Sequence, residues 1–210
     1  ANGMGVLIER PIDIKRTIDF MLGPSPDAES IDPQHVVFYG FSQGGYTGLV
    51  VAGANPNFSK LPPRCADPKV TECTPADQRR PFQREQPPQS WTHDPRVKAM
   101  VIADPLSTVF LTADSVRDVK IPLQLWGSQL GGGQDAEPEN VAKLAVLLPN
   151  KPDFVVVPNA RHLSFGAPCP NTASSSDAYC ADAPGFDRVA FHKQFNAAIV
   201  AFFRKHLMQP

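Results

Sequence analysis

No run of apolar residues in this 210-residue chain approaches the roughly 18 that a membrane helix requires, so no transmembrane segment is expected. The N-terminus lacks the basic stretch followed by an apolar one that marks a secretory leader, so any such leader would already be absent from the chain. There is almost no net charge, 20 Lys and Arg against 21 Asp and Glu, and hence no general attraction to phosphate backbones. No nucleic acid partner is expected. Internal repeats and low-complexity tracts are missing too, which excludes solenoid and disordered architectures.

What is present suits one well-buried domain spanning 1–210, with 42% hydrophobic and 20% charged residues. Proline is abundant, at 23 residues, and many of them fall between Pro62 and Pro95. The segment 55–94 therefore reads as a Pro-rich insertion, either a lid over the site or a stapled surface excursion. The cysteines Cys65, Cys73, Cys169 and Cys180 form two locally spaced pairs. Three connectivities are possible, and closing Cys65 with Cys73 and Cys169 with Cys180 costs the least chain entropy. Neither spacing fits a structural zinc site, so no metal is assigned. Two disulfides point to an oxidising compartment, meaning a periplasmic or secreted protein.

Along the chain, Ile14, Ile18, Met21 and Leu22 recur at helical spacing until Gly23-Pro24 stops them. His35–Tyr39, Arg96–Ala103, Ile121–Trp126 and Asp153–Val157 read as buried strands. Helical runs follow at Gly44–Gly53, at Glu139–Leu148 and through Val189, Phe195, Ile199 and Phe202. Strand and helix in alternation imply a mostly parallel sheet with helices on both faces, the α/β class.

Between the first strand and its helix lies Gly40-Phe41-Ser42-Gln43-Gly44, a G-x-S-x-G. The bare pattern carries little weight, but a strand-turn-helix setting makes it a nucleophile elbow. Glycines two before and two after the serine would let strand and helix approach without a Cβ clash, and Ser42 would project beyond the strand. The backbone N–H of Gln43, at the helix N-terminus, would face a developing oxyanion. A serine needs a base, and of the five histidines His162 follows a strand at the carboxyl edge of the sheet. His35 opens a strand, His93 lies in the Pro-rich stretch, and His192 and His206 sit on the terminal helix. For the acid that orients the imidazole the choice falls on Asp135, in Gly131-Gly132-Gly133-Gln134-Asp135, with Asp104 and Glu137 as alternatives. Phe41, Phe110, Trp126 and Phe165 are candidates to line an apolar substrate pocket, or are simply core.

These features resemble the serine-dependent α/β-hydrolases known as predicted dienelactone hydrolases, relatives of the platelet-activating-factor acetylhydrolases. The resemblance runs through Arg10-Pro11-Ile12-Asp13-Ile14, the elbow, Asp94-Pro95-Arg96-Val97-Lys98-Ala99, Pro158-Asn159-Ala160-Arg161-His162 with Phe165 and Cys169, and Phe186-Asp187-Arg188. It implies an α/β-hydrolase fold and a carboxylic ester hydrolase using Ser42, His162 and an acid in the Gly-rich loop, through an acyl-enzyme and without cofactor. A small-molecule or lipid-like ester is the implied substrate, with a lipase-like or polyester-cleaving enzyme as the alternative. Such a fold has about eight strands, whereas four are legible here, so the chain corresponds to its C-terminal portion. An N-terminal partner segment is then required, and without it the chain would be a catalytically silent fragment or subunit.

Overall fold

The computed structural model describes residues 3–58, 92–132, 136–170 and 178–207. Its centre is a four-stranded, all-parallel sheet in the order β1 (Val36–Phe41), β2 (Val97–Ala103), β3 (Leu123–Ser128) and β4 (Asp153–Val157). Helix α1 (Gly3–Met21) precedes β1, and α2 (Gln43–Val51) follows it directly. A short α3 (Ala113–Val116) lies between β2 and β3, α4 (Pro138–Leu147) between β3 and β4, and α5 (Arg188–Leu207) closes the chain. The fold is therefore mixed α/β with helices on both faces of the sheet, and each sequence-expected strand is found within about two residues.

The two faces differ in chemistry. On one, α1, α2 and α4 bury aliphatic side chains, among them Leu49, Met100, Ile102, Leu125 and Leu144. On the other, α5 brings Phe195 and Phe202 onto Ala99, Val101, Ala103 and Trp126, so small strand residues make room for aromatic rings. Strands β2 and β3 are buried on both faces, which explains why they read as continuous apolar runs in the sequence.

A proline inside α1 would be expected to leave a main-chain acceptor idle, because Pro11 has no N–H for the carbonyl of Leu7 four residues back. The buried Tyr46 of α2 fills the gap, its hydroxyl donating to the Leu7 carbonyl at 3.1 Å. Arg10 Nε adds a second tie, donating at 3.0 Å to Thr47 Oγ1, which itself donates to the Gln43 carbonyl at 2.8 Å. Helix α1 is thus keyed to α2 through its own irregularity. Burial also pushes the Tyr46 phenol well above its ordinary pKa, so it acts as a neutral donor throughout.

Of the insertion 55–94, only the two ends are described. The Asn55 N–H donates to the Ser115 carbonyl at 2.7 Å, the Asn57 N–H to Val109 at 2.8 Å, and the Asp94 N–H to Val51 at 2.9 Å. Cys65 and Cys73 lie outside the described residues. Cys169 and Cys180 form a disulfide, as their spacing suggested. No helix among the described residues is long and apolar enough to cross a membrane.

The Leu7 carbonyl yields a stability test. Tyr46→Phe leaves that acceptor buried and unpaired and should cost about 1–3 kcal/mol in urea denaturation. In a Pro11→Ala background the helix regains its own donor, and the cost of Tyr46→Phe should shrink to less than half; equal costs in both backgrounds would show that the bond does not serve this purpose.

Candidate active site

Parallel pairing aligns Phe41 with Ala103 and Ala103 with Trp126, so the residues that follow these strands emerge side by side at the carboxyl edge. Ser42 leaves β1 in a backbone conformation with φ 57° and ψ −121°, which non-glycine residues seldom adopt. The turn is held from below: Ser42 N–H donates to the Ala103 carbonyl at 2.9 Å, and the N–H groups of Tyr46 and Leu106 both donate to the Ser42 carbonyl at 3.2 Å. A Cβ on Gly40 would stand 2.8 Å from the Gly45 nitrogen and closer still to the Gly44 carbonyl, so strand and helix meet only because position 40 has none.

The second glycine of the motif is a different matter. Gly44 has open space where its Cβ would be, while a Cβ on Gly45 would come within 2.8 Å of Pro105 Cβ. The close approach after the serine is therefore made by Gly45, against the segment that carries Asp104, and not by Gly44 as the motif suggests.

His162 opens a 3₁₀ turn, His162–Phe165, reached from β4, and its backbone N–H donates to the Gly131 carbonyl at 2.7 Å. Its Nε2 stands 2.9 Å from Ser42 Oγ and its Nδ1 stands 2.7 Å from Asp104 Oδ2. The carboxylate can only accept, so Nδ1 carries the proton and Nε2 offers its lone pair to the Ser42 hydroxyl. The ring is 9% exposed and packs against Phe41 with centroids 4.7 Å apart.

The carboxylate at Nδ1 is that of Asp104, which the sequence offered as an alternative to Asp135. Nδ1 has one proton to give, and Asp104 accepts it. Asp135 itself lies outside the described residues, while Glu137 serves as the N-cap residue of α4. Register explains the outcome, since Asp104 follows β2 immediately, one strand from Ser42 and two from β4. Its φ of 43° is the left-handed conformation that Asp tolerates better than most residues. The side chain is fully buried, and a buried carboxylate must be hydrogen-bonded. Besides His162 it accepts from Ser128, whose N–H donates to Oδ1 at 2.8 Å and whose hydroxyl donates to Oδ2 at 2.9 Å.

Sequence reasoning did not single out Ser128, the last residue of β3; a small hydroxyl residue ending the strand next to an acid-bearing loop is the signal that was available. Gln43 is the first residue of α2, and the opening N–H groups of a helix have no partner within it. Phe110 and Phe165 are core residues, the first stacked on Tyr46 at 5.5 Å, and Trp126 packs edge-on against Phe195 at 4.9 Å. Of the four aromatic candidates Phe41 packs against the His162 ring. His35 pairs with Asp32, His192 meets the Ser164 carbonyl, and His206 stacks near Phe202.

Comparison with models of known protein families finds no match, and no curated protein matches the sequence.

The glycine geometry predicts opposite outcomes for two substitutions in one motif. Gly40→Ala overpacks the elbow and should cost about 1–3 kcal/mol or prevent folding. Gly44→Ala, inside a helix with room for the methyl, should be neutral or stabilise by about 0.5–1 kcal/mol. Thermal unfolding of the two variants reads the difference, and equal losses would contradict the geometry.

Proposed function

We propose that the chain belongs to the α/β-hydrolases and hydrolyses carboxylic esters through a covalent acyl-enzyme. The observation that carries this reading is the unbroken chain Ser42 Oγ, His162 Nε2, His162 Nδ1, Asp104 Oδ2, with separations of 2.9 and 2.7 Å. As Ser42 Oγ attacks the ester carbonyl carbon, its proton passes to Nε2 and the imidazolium is stabilised by Asp104. The carbonyl oxygen becomes an oxyanion, for which the Gln43 N–H at the positive end of α2 is the donor this chain supplies. Collapse of the tetrahedral intermediate expels the alcohol, which takes the proton from Nε2. Water then attacks the acyl-serine, giving its proton to Nε2, and the acid leaves as Ser42 Oγ recovers that proton.

The same reading includes a partner. Strand β1 pairs with β2 along one edge, and no described strand pairs with the other, where Tyr39 is 45% exposed. An open edge of this kind is a template for another strand. A segment supplied by the N-terminal part of the same hydrolase would pair there and extend the sheet. The Cys169–Cys180 bond supports a periplasmic or secreted location, where disulfides persist.

One experiment tests these points together. Intact mass spectrometry of the natively purified protein after a fluorophosphonate probe should show a single adduct that Ser42→Ala abolishes, and native spectra should show any second chain. No adduct in a preparation that contains no second chain would favour a silent subunit. In unlabelled protein whose active sites have been counted by the probe in a separate aliquot, Asp104→Asn should lower kcat on a short acyl ester by about a thousandfold or more. The asparagine NH₂ would donate to Nδ1 and turn the Nε2 proton toward Ser42, the wrong tautomer for a base. Asp135→Asn should stay within about twofold of the parent, and a reversed pattern would return the acid role to the Gly-rich loop.

A further inference from the structure

A charge pair whose arginine is buried stands behind the His162 turn and takes no part in the chain of bonds to Ser42. Arg188, the first residue of α5, is 6% exposed, yet all its donor nitrogens are engaged. Its Nε donates to Asp182 Oδ2 and its Nη2 to Asp182 Oδ1, both at 2.9 Å, while Nη1 donates to the Tyr179 carbonyl at 2.8 Å. A pair so largely withdrawn from water adds little stability over a well-packed apolar substitute, so stability alone does not account for it.

What it holds is Ser164. That residue is fully buried within the His162–Phe165 turn, and its hydroxyl donates to Asp182 Oδ1 at 2.7 Å. The Ser164 hydroxyl oxygen also accepts the Arg161 N–H at 3.1 Å, so it clamps the entry to the turn. From one helical turn beyond Arg188, His192 Nε2 donates to the Ser164 carbonyl at 3.1 Å. The turn that presents His162 is therefore tied to α5 through the carbonyl of Ser164 directly and through its hydroxyl by way of Asp182 and Arg188. Asp182 lies 18 residues beyond Ser164, but the Cys169–Cys180 bond closes most of that excursion and returns the chain to the turn.

We propose that Asp182, gripped by Arg188, is a positioning residue: through Ser164 it sets the orientation of the His162 turn and keeps the imidazole in line between Asp104 and Ser42. The kinetic consequence rests on the ester-hydrolase reading; the geometric one does not. Misplacing a reacting group by about 1 Å can cost on the order of a hundredfold in rate without weakening substrate binding, which marks positioning apart from stability.

The test compares the parent protein with Ser164→Ala, which removes the hydroxyl link, and Arg188→Lys, which keeps the charge but loses the two-pronged grip. Two readouts are taken on each. The first is the downfield proton resonance of the His162 Nδ1–H, which reports the Asp104 contact without substrate. The second is kcat per probe-titrated site on a short acyl ester, together with KM. The proposal expects the resonance to shift or broaden in both variants, with kcat down about ten- to a hundredfold and KM within about twofold. A resonance and a kcat per site both equal to the parent's, whatever happens to the melting temperature, would overturn it. Should Ser164→Ala fail to fold, Arg188→Lys decides by the same criteria. Should the parent cleave no ester, a displaced resonance still supports the positioning role while the ester-hydrolase reading falls, and an unchanged one overturns it.

Discussion

The carboxylate of Asp104 is the group on which the carboxyl edge of the sheet depends. It is fully buried, so it must be paired, and its three donors come from two other places in the chain: Ser128 N–H, Ser128 Oγ and His162 Nδ1. In accepting these bonds it ties the end of β2 to the end of β3 and to the turn after β4. Ser42 is drawn into the same structure, because its N–H donates to Ala103 and its carbonyl accepts from Leu106, the residues one before and two after Asp104. Loss of this acceptor would leave donors from two other segments without a partner in a place water does not reach.

Hydrogen bonds fix the imidazole in its own plane, and packing fixes the plane itself. Phe41 lies against His162, Phe165 against Phe41 at 6.1 Å, and Phe165 against Phe191 and Phe195 of α5 at 5.4 and 5.6 Å. An aromatic cluster rooted on α5 thus reaches the ring from one side. The small residues Ala99 and Ala103 on that face of the sheet leave the room it needs, whereas the opposite face packs mostly aliphatic side chains around Tyr46 and Phe110. The cluster that includes Phe165 and Phe195 is therefore connected to the site, since it continues through Phe41 to the His162 ring.

The parts of this arrangement that were legible in the sequence are those with local signatures. The four strands, the long helices, the elbow at Ser42 and the histidine after β4 each show in a run of a few residues. Asp104 and Asp135 could not be separated that way, because which acid meets Nδ1 depends on strand register and on a φ of 43° at one residue. A glycine-rich loop looks like the more adaptable support, yet a short rigid path from a strand end was enough. The roles of Gly44 and Gly45 were hidden for a similar reason: the deciding neighbour, Pro105, is 60 positions away. Ser128, Asp182 and Arg188 carry no motif at all, and only the folded chain brings them behind the acid and the histidine turn.

The insertion after α2 poses a mechanical question, since it separates the helix that carries Gln43 from the strand that carries Asp104. The main chain answers it. At one end of α2 the Ser42 N–H and carbonyl are bonded to Ala103 and Leu106; at the other, the Val51 carbonyl accepts the Asp94 N–H three residues before β2 begins. Helix and strand are thus joined at both ends, independently of the chain that runs between positions 58 and 92. The cost of closing a longer loop grows only with the logarithm of its length, so changes in the length of this insertion add little strain to the frame. Loop variation and site geometry are separated by two sets of backbone hydrogen bonds, and the carboxyl edge keeps its spacing because it is set by strands.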